Sequence, residues 1–261
     1  MSTSKGAALV TGASSGIGAV YADRLAARGH DLILVARRVD RLEELAEQLR
    51  NKYDRTVQVV TADLSIEQDL SQVEALVGGA PGLKVIVNCA GLGALGTTTS
   101  IDPAIVDNML KVNVVALTRL SLVAARRFAL AKEGTIINIG SIAAFLPAPG
   151  AGAYSGSKAY VLNFTRSLQA ELAQSNVSVQ VVMPGPVRSE FFGDIPAPFP
   201  DQLFISSEAL VDAALNALDQ GEVVSFPTLH DIAAWQSTET ARVGLAKALT
   251  QNGKTADRYT K

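Results

Sequence analysis

The chain has 261 residues, 48% of them hydrophobic and 18% charged, with a formal net charge of −2. That suits one large α/β domain with a sizeable core. It excludes a disordered chain, and it leaves no basic footprint for nucleic acid or an anionic membrane. One cysteine, Cys89, and two histidines, His30 and His230, exclude an intrachain disulfide and give no Cys- or His-rich metal site.

Ala7-Ala8-Leu9-Val10 is a short apolar run suited to a buried parallel strand. It leads into Thr11-Gly12-Ala13-Ser14-Ser15-Gly16-Ile17-Gly18, after which residues 19–28 read as a helix stopped by Gly29. Strand, glycine loop and helix in that order form a phosphate-binding turn. Glycines let the backbone approach a pyrophosphate, and the helix N-terminus offers unpaired N–H groups and positive partial charge.

Residues 31–36 read as the second strand and 39–50 as a charged amphipathic helix. A dinucleotide fold that prefers NAD places an acidic residue at that strand's end, against the ribose 2′-hydroxyl. This strand ends in Ala36, followed by Arg37 and Arg38. Nothing there repels a 2′-phosphate, and Arg37 could pair with one through its guanidinium fork.

Residues 57–61 form the third predicted strand, followed by Ala62-Asp63-Leu64, a helix over 66–77 and Gly78-Gly79. The fourth strand, 83–87, runs into Asn88-Cys89-Ala90-Gly91, small residues that let the backbone lie close to a ligand. A long, mainly apolar helical region covers 103–130 and carries Asn113, a polar side chain that needs partners if buried. The fifth strand, 134–140, has Ser141 at its carboxyl end. In open parallel sheets ligands bind at that edge, which Ser141 shares with the glycine loop, Asp63 and Asn88.

The helix over 153–172 carries Tyr154 and Lys158, four residues apart and so on one face. A phenol beside an ammonium is an acid whose pKa the positive charge lowers, a proton donor suited to neutral pH. A sixth strand over 177–183 ends in Pro184-Gly185-Pro186-Val187-Arg188-Ser189. A helix over 207–220 and a last strand over 222–226 complete the alternation. The expected architecture is a single-domain, Rossmann-like doubly wound parallel sheet with helices on both faces. Beyond it, 227–261 form a tail with a helix over 231–249 that includes Trp235.

With these residues in place, the sequence resembles the short-chain dehydrogenase/reductase family over residues 5–226. The resemblance is carried by Thr11-Gly-x-x-x-Gly-Ile-Gly18, Asp63-Leu64, Asn88-x-Ala-Gly91, Asn113, Ser141, Tyr154-x-x-x-Lys158 and Pro184-Gly185. It implies that Tyr154 is the catalytic acid/base, and that Lys158 lowers its pKa and holds the nicotinamide ribose. It further implies that Ser141 binds the substrate carbonyl and that Asn113 supports a proton-relaying water. For the cofactor it implies the loop residues Gly12, Ser14, Ser15, Gly16, Ile17 and Gly18. Asp63 and Leu64 would flank the adenine, and Asn88, Ala90 and Gly91 would line the cofactor. Pro184, Gly185 and Val187 would sit against the nicotinamide, with Ser189 near its carboxamide or the phosphates. Two departures from the family pattern are Cys89, in place of a second Asn, and Ser189, in place of Thr.

The expected function is NADP(H)-dependent hydride transfer between the nicotinamide and a carbonyl or secondary alcohol, without a metal. An apolar, proline-rich stretch over 190–205, with Phe191, Phe192, Phe199, Leu203 and Phe204, suits a lid over a hydrophobic ketone, aldehyde or 3-oxoacyl substrate. Two alternatives stand beside it: an NADP-dependent alcohol dehydrogenase working oxidatively, and a non-catalytic dinucleotide-binding regulatory module. Residues 1–10 hold no signal-peptide core, and no apolar run reaches the roughly 18 residues of a membrane span. A cytoplasmic protein is therefore expected, without nucleic-acid or membrane partners. The apolar helices over 103–130 and 153–172 suit a homotetramer or a dimer.

Overall fold

The computed structural model describes residues 4–192, 199–250 and 253–260. The chain divides into two compact units, Met1–Pro227 and Thr228–Lys261.

The first unit is built on β1 (Ala7–Thr11), β2 (Asp31–Ala36), β3 (Val57–Thr61), β4 (Leu83–Asn88), β5 (Gly134–Ile139), β6 (Val177–Val182) and a late short strand, Val224–Ser225. These pair in parallel in the order β3-β2-β1-β4-β5-β6, with Val224–Ser225 at the far edge beside β6. The order reverses between β1 and β4, which leaves a crevice at their carboxyl ends.

Alternation along the strands feeds two cores. On one face Ala8 and Val10 of β1 pack with α1 (Gly16–Ala27), α2 (Val39–Tyr53) and the helix Ser207–Asp219. On the other, Leu9 packs with α3 (Glu67–Gly79), the helix Leu117–Ala131 and the helix Gly152–Leu172. Burial on both faces explains why these strands read as continuous apolar runs rather than as alternating ones.

The long helix expected over 103–130 is three pieces. It comprises α4 (Pro103–Leu110), a π-helical turn (Lys111–Ala116) that holds Asn113, and α5 (Leu117–Ala131). A π turn widens the helix by one residue and is often found where a side chain must be re-aimed. Asp102 starts α4, its carboxylate accepting from the Ala104 N–H at 2.8 Å, and Pro103 occupies the first turn.

α6 (Gly152–Leu172) follows a short 3₁₀ turn, Ile142–Phe145. After β6, β7 (Val187–Arg188) pairs in parallel with β8 (Ile205–Ser206), and α7 (Ser207–Asp219) leads to β9 (Val224–Ser225). β9 is shorter than the strand expected over 222–226. Helix α1 begins at Gly16 rather than at residue 19, so two glycines of the loop lie inside its first turn. Of the stretch expected to form a lid, residues 193–198, Pro196 and Pro198 among them, lie outside the described residues.

The second unit contains α8 (Ala233–Leu249). The Asp231 carboxylate accepts from the Ala233 N–H at 2.9 Å, and Arg242 donates to Glu239 one turn earlier.

Candidate active site

Thr11, at the end of β1, donates through its hydroxyl to Val87 O at 3.3 Å and accepts from the N–H groups of Cys89 and Ala90 at 3.0 and 3.1 Å. One buried side chain thus fixes both walls of the crevice. Gly12 has φ +69°, and a Cβ there would stand 2.9 Å from the Ala90 backbone. A Cβ on Gly18 would stand 2.3 Å from Gly12 O. These two positions require glycine so that loop, helix and β4 exit can close up. Ser15, the N-cap of α1, makes no side-chain cap hydrogen bond, and no acidic residue stands in the first turn. The helix's leading N–H groups therefore face the crevice without a side-chain acceptor or a competing negative charge.

The crevice is a cleft of about 340 Å³. Its lining includes Gly12, Ser14, Ser15, Gly16, Ile17 and Gly18 from the loop, and Arg37, Asp63 and Leu64 from beyond β2 and β3. Ala90 and Gly91 after β4, and Ser189 after β7, complete the sequence-nominated residues in it. Ala36 leaves the β2 end without an acid. Arg37 lies 3.8 Å from the Asp63 carboxylate. Burial raises the Asp63 pKa, but hydrogen bonds from Ser65 and the charge of Arg37 outweigh it and hold the group lowered.

Several nominated residues do not line this cleft. Asn88 is buried and donates through Nδ2 to Ser121 Oγ at 3.0 Å and Asn138 Oδ1 at 2.8 Å. Asn138 in turn donates to Thr165 Oγ1 at 3.0 Å. This chain of polar groups ties β4, β5, α5 and α6 together. Pro184 is buried, and its carbonyl accepts from the Ile142 N–H at 2.9 Å. Gly185 follows it, and Val187 is buried in β7.

The second cluster lies at the ends of β4, β5 and α6. Ser141 caps the 3₁₀ turn by accepting from the Ala143 N–H at 3.1 Å, and its hydroxyl acts to lower the pKa of the Tyr154 phenol. Lys158 is 6% exposed, donates to Ile139 O at 2.9 Å, and stands 5.7 Å from the Tyr154 ring centroid. Asn113 clamps Leu92 from both sides, accepting from its N–H at 2.8 Å and donating to its carbonyl at 2.9 Å. Around Gly91 the clusters meet: a Cβ there would lie 3.5 Å from Asn113 Oδ1 and 3.8 Å from Lys158 Nζ.

The pKa relation expected of Tyr154 and Lys158 is corrected by burial. Burial pushes the Tyr154 phenol up to about 12, with Ser141's hydrogen bond acting the other way. Burial pushes Lys158 down to about 8. Desolvation is the largest influence on both groups, so each is shifted toward its neutral form. Cys89 lines the cleft, and burial pushes its thiol up to about 12, so it is a neutral, weakly nucleophilic side chain.

Four side chains at this site were missed or misjudged from the sequence. Arg38, the second of the Arg pair, donates to Ser14 Oγ at 3.0 Å, Ser15 Oγ at 2.7 Å and Glu190 Oε2 at 2.7 Å. Arg41 donates to Glu190 Oε1 at 2.5 Å. Phe191, nominated only for a lid, places its ring 5.6 Å from that of Tyr154. The adjacency of Arg37 and Arg38 was a usable signal for Arg38. Nothing local marks Glu190, which is 152 residues from Arg38.

The sequence pattern of the short chain dehydrogenase family matches residues 6–198. A short-chain dehydrogenase from Sphingobium yanoikuyae, solved in complex with NADPH, is 39% identical. It superposes with a TM-score of 0.92 over 97% of this chain and 100% of that one. A bulky-bulky ketone specific alcohol dehydrogenase from Comamonas testosteroni is 37% identical, with a TM-score of 0.91 over 99% of this chain and 100% of that one. A very-long-chain 3-oxoacyl-CoA reductase from Anas platyrhynchos is 32% identical over 183 residues, 68% of this chain and 58% of that protein. The chain therefore spans little more than half the length of that relative.

Proposed function

Since the chain belongs to the short-chain dehydrogenase/reductase family, an oxidoreductase family that binds nicotinamide dinucleotides, we propose that it is an NADP(H)-dependent carbonyl reductase for bulky hydrophobic ketones. Aldehydes and 3-oxoacyl compounds are the neighbouring substrate classes. The observation that carries this reading is the convergence of Ser141, Tyr154 and Lys158 beside a cleft whose far end is lined by Arg37 and Arg38, with Arg41 paired to Glu190 next to them.

The residues fit the cofactor. Glycines that side chains would fill, an uncapped helix N-terminus and a β2 end without an acid suit a pyrophosphate and a 2′-phosphorylated ribose. The nicotinamide, when bound, supplies the hydride. The protein does the rest. Ser141 and Tyr154 donate hydrogen bonds to the substrate oxygen as negative charge develops, and Tyr154 delivers the proton. A phenol pushed up to about 12 stays protonated at neutral pH, which favours reduction over alcohol oxidation. Phe191, Phe199 and Leu203 of the stretch expected as a lid, with Phe145 and Leu146 at the 3₁₀ turn that follows Ser141, offer exposed apolar surface. They suit a hydrophobic partner for the carbonyl. A ketone-specific relative and an NADPH-bound relative, both spanning nearly the whole chain, support the same reading.

A non-catalytic dinucleotide binder is the second reading, and the intact Ser141, Tyr154 and Lys158 weigh against it. The test is NADPH and NADH oxidation over a panel of bulky aryl ketones, aldehydes and acyl thioesters. Ketone-dependent consumption faster with NADPH than with NADH is expected. Silence across the whole panel would contradict the reading.

A further inference from the structure

The turn Glu190–Phe192 reaches both ends of the site. At the adenosine end the Glu190 carboxylate accepts from Arg38 and Arg41, one oxygen to each. Arg38 spends its other nitrogens on Ser14 and Ser15, so the glycine loop, the β2 exit, α2 and this turn are joined in one polar cluster. At the other end, one residue later, Phe191 lies against Tyr154 and beneath Gly93, where a Cβ would stand 3.2 Å from the ring. The Phe191 N–H donates to Ser189 Oγ at 3.4 Å, so the turn also bonds within itself between the two contacts.

Charge explains why this matters. Three guanidiniums, Arg37, Arg38 and Arg41, face two carboxylates, Asp63 and Glu190. The hydrogen bonds from Arg38 and then Arg41 pull Glu190 down to about 2, so it is ionised at any physiological pH. A 2′-phosphate carries more charge than a carboxylate and has more acceptor oxygens, so it competes for the same donors. A cofactor with a plain 2′-hydroxyl has nothing to exchange and leaves the pair in place.

We propose that Glu190 is a specificity-determining residue whose carboxylate contests Arg38 and Arg41 with the 2′-phosphate of NADP(H), and that the exchange releases Phe191 from Tyr154. The proposal rests on the NADP(H) reading. Glu190 sets a ceiling on NADP(H) affinity without touching NAD(H) affinity, and it lets the adenosine end of the cofactor act on the substrate end of the site.

The test is calorimetric titration of wild type and Glu190→Gln with NADPH, NADH, adenosine 2′,5′-bisphosphate and adenosine 5′-monophosphate. Glu190→Gln is expected to bind NADPH and the bisphosphate about two- to fivefold more tightly, the size of a partly exposed ion pair. NADH and the monophosphate should be unmoved. Hydrogen exchange supplies the second readout. The bisphosphate, which has no nicotinamide, should raise exchange over residues 187–192 in wild type, and Glu190→Gln should show the raised level unliganded. If wild type prefers NADPH but Glu190→Gln gains nothing for phosphorylated ligands, the specificity role is overturned and the NADP(H) reading stands. Unchanged exchange on adding the bisphosphate would overturn the coupling to Phe191. A wild type with no preference for NADPH would overturn both the NADP(H) reading and this proposal.

Discussion

Lys158 is held in a place that penalises its charge. Its ammonium titrates at about 8 in the fold against an ordinary 10.5. Between those values the unfolded chain holds a proton that the folded chain has lost, so stability rises with pH across that window. Below about 8 the full penalty applies. Lys158→Met should therefore stabilise the protein at pH 7 by roughly 2–3 kcal/mol, with the gain shrinking towards zero by about pH 10.5. Thermal melts across pH read this directly. A gain that does not shrink with pH, or a loss at pH 7, would refute it. Turnover should collapse in the same variant, the usual trade between stability and a strained site. Tyr154 is the complementary case. Its phenol, pushed up to about 12, should show no phenolate absorbance below about pH 11 when wild type is compared with Tyr154→Phe and no nucleotide is added. A tyrosinate band near pH 9 that is missing from the variant would show that Lys158 dominates after all.

At the scale of elements, the buried chain Asn88–Asn138–Thr165 holds β4, β5 and α6 in register behind the cleft. Asn138→Leu removes the acceptor of Asn88 and the donor to Thr165. It should cost about 1–3 kcal/mol in denaturant unfolding, with the slope unchanged. A neutral result would mean that the neighbours re-pair. The strands, the glycine loop and the two-faced sheet were legible in the sequence because each is written locally, in apolar runs and glycine punctuation. The π turn was not. Lys111-Val112-Asn113-Val114-Val115-Ala116 continues the apolar pattern on both sides, and only tertiary packing against Leu92 re-aims Asn113. Asn88 was nominated for the cleft, yet its side chain enters the polar chain behind it, a choice made by Ser121 and Asn138 from distant segments. The contact of Glu190 with Arg38 and Arg41 likewise depends on the whole fold. The Tyr154–Lys158 spacing was legible, while their pKa values were not, because burial is a property of everything packed around them.

At the scale of the molecule, Leu110, Val115, Leu122 and Tyr160 present exposed apolar surface on α4, the π turn, α5 and α6. Such surface suits burial against a second copy, and a homotetramer, or failing that a dimer, is expected. Light scattering at micromolar concentration should show it, and Leu122→Glu should lower the mass. A monomeric wild type would contradict the expectation. Among the described residues no helix is long and apolar enough to cross a membrane. The molecule as a whole brings the glycine loop, Arg37, Arg38 and the buried Tyr154 phenol to one edge of a parallel sheet. The measurement that tests this account most directly is single-turnover reduction of a bulky ketone by wild type and Tyr154→Phe, each saturated with NADPH. Wild type should consume the cofactor, whereas Tyr154→Phe should bind NADPH with near-normal affinity and reduce the ketone about 10²- to 10⁴-fold more slowly. A Tyr154→Phe enzyme that matches wild type would contradict the account.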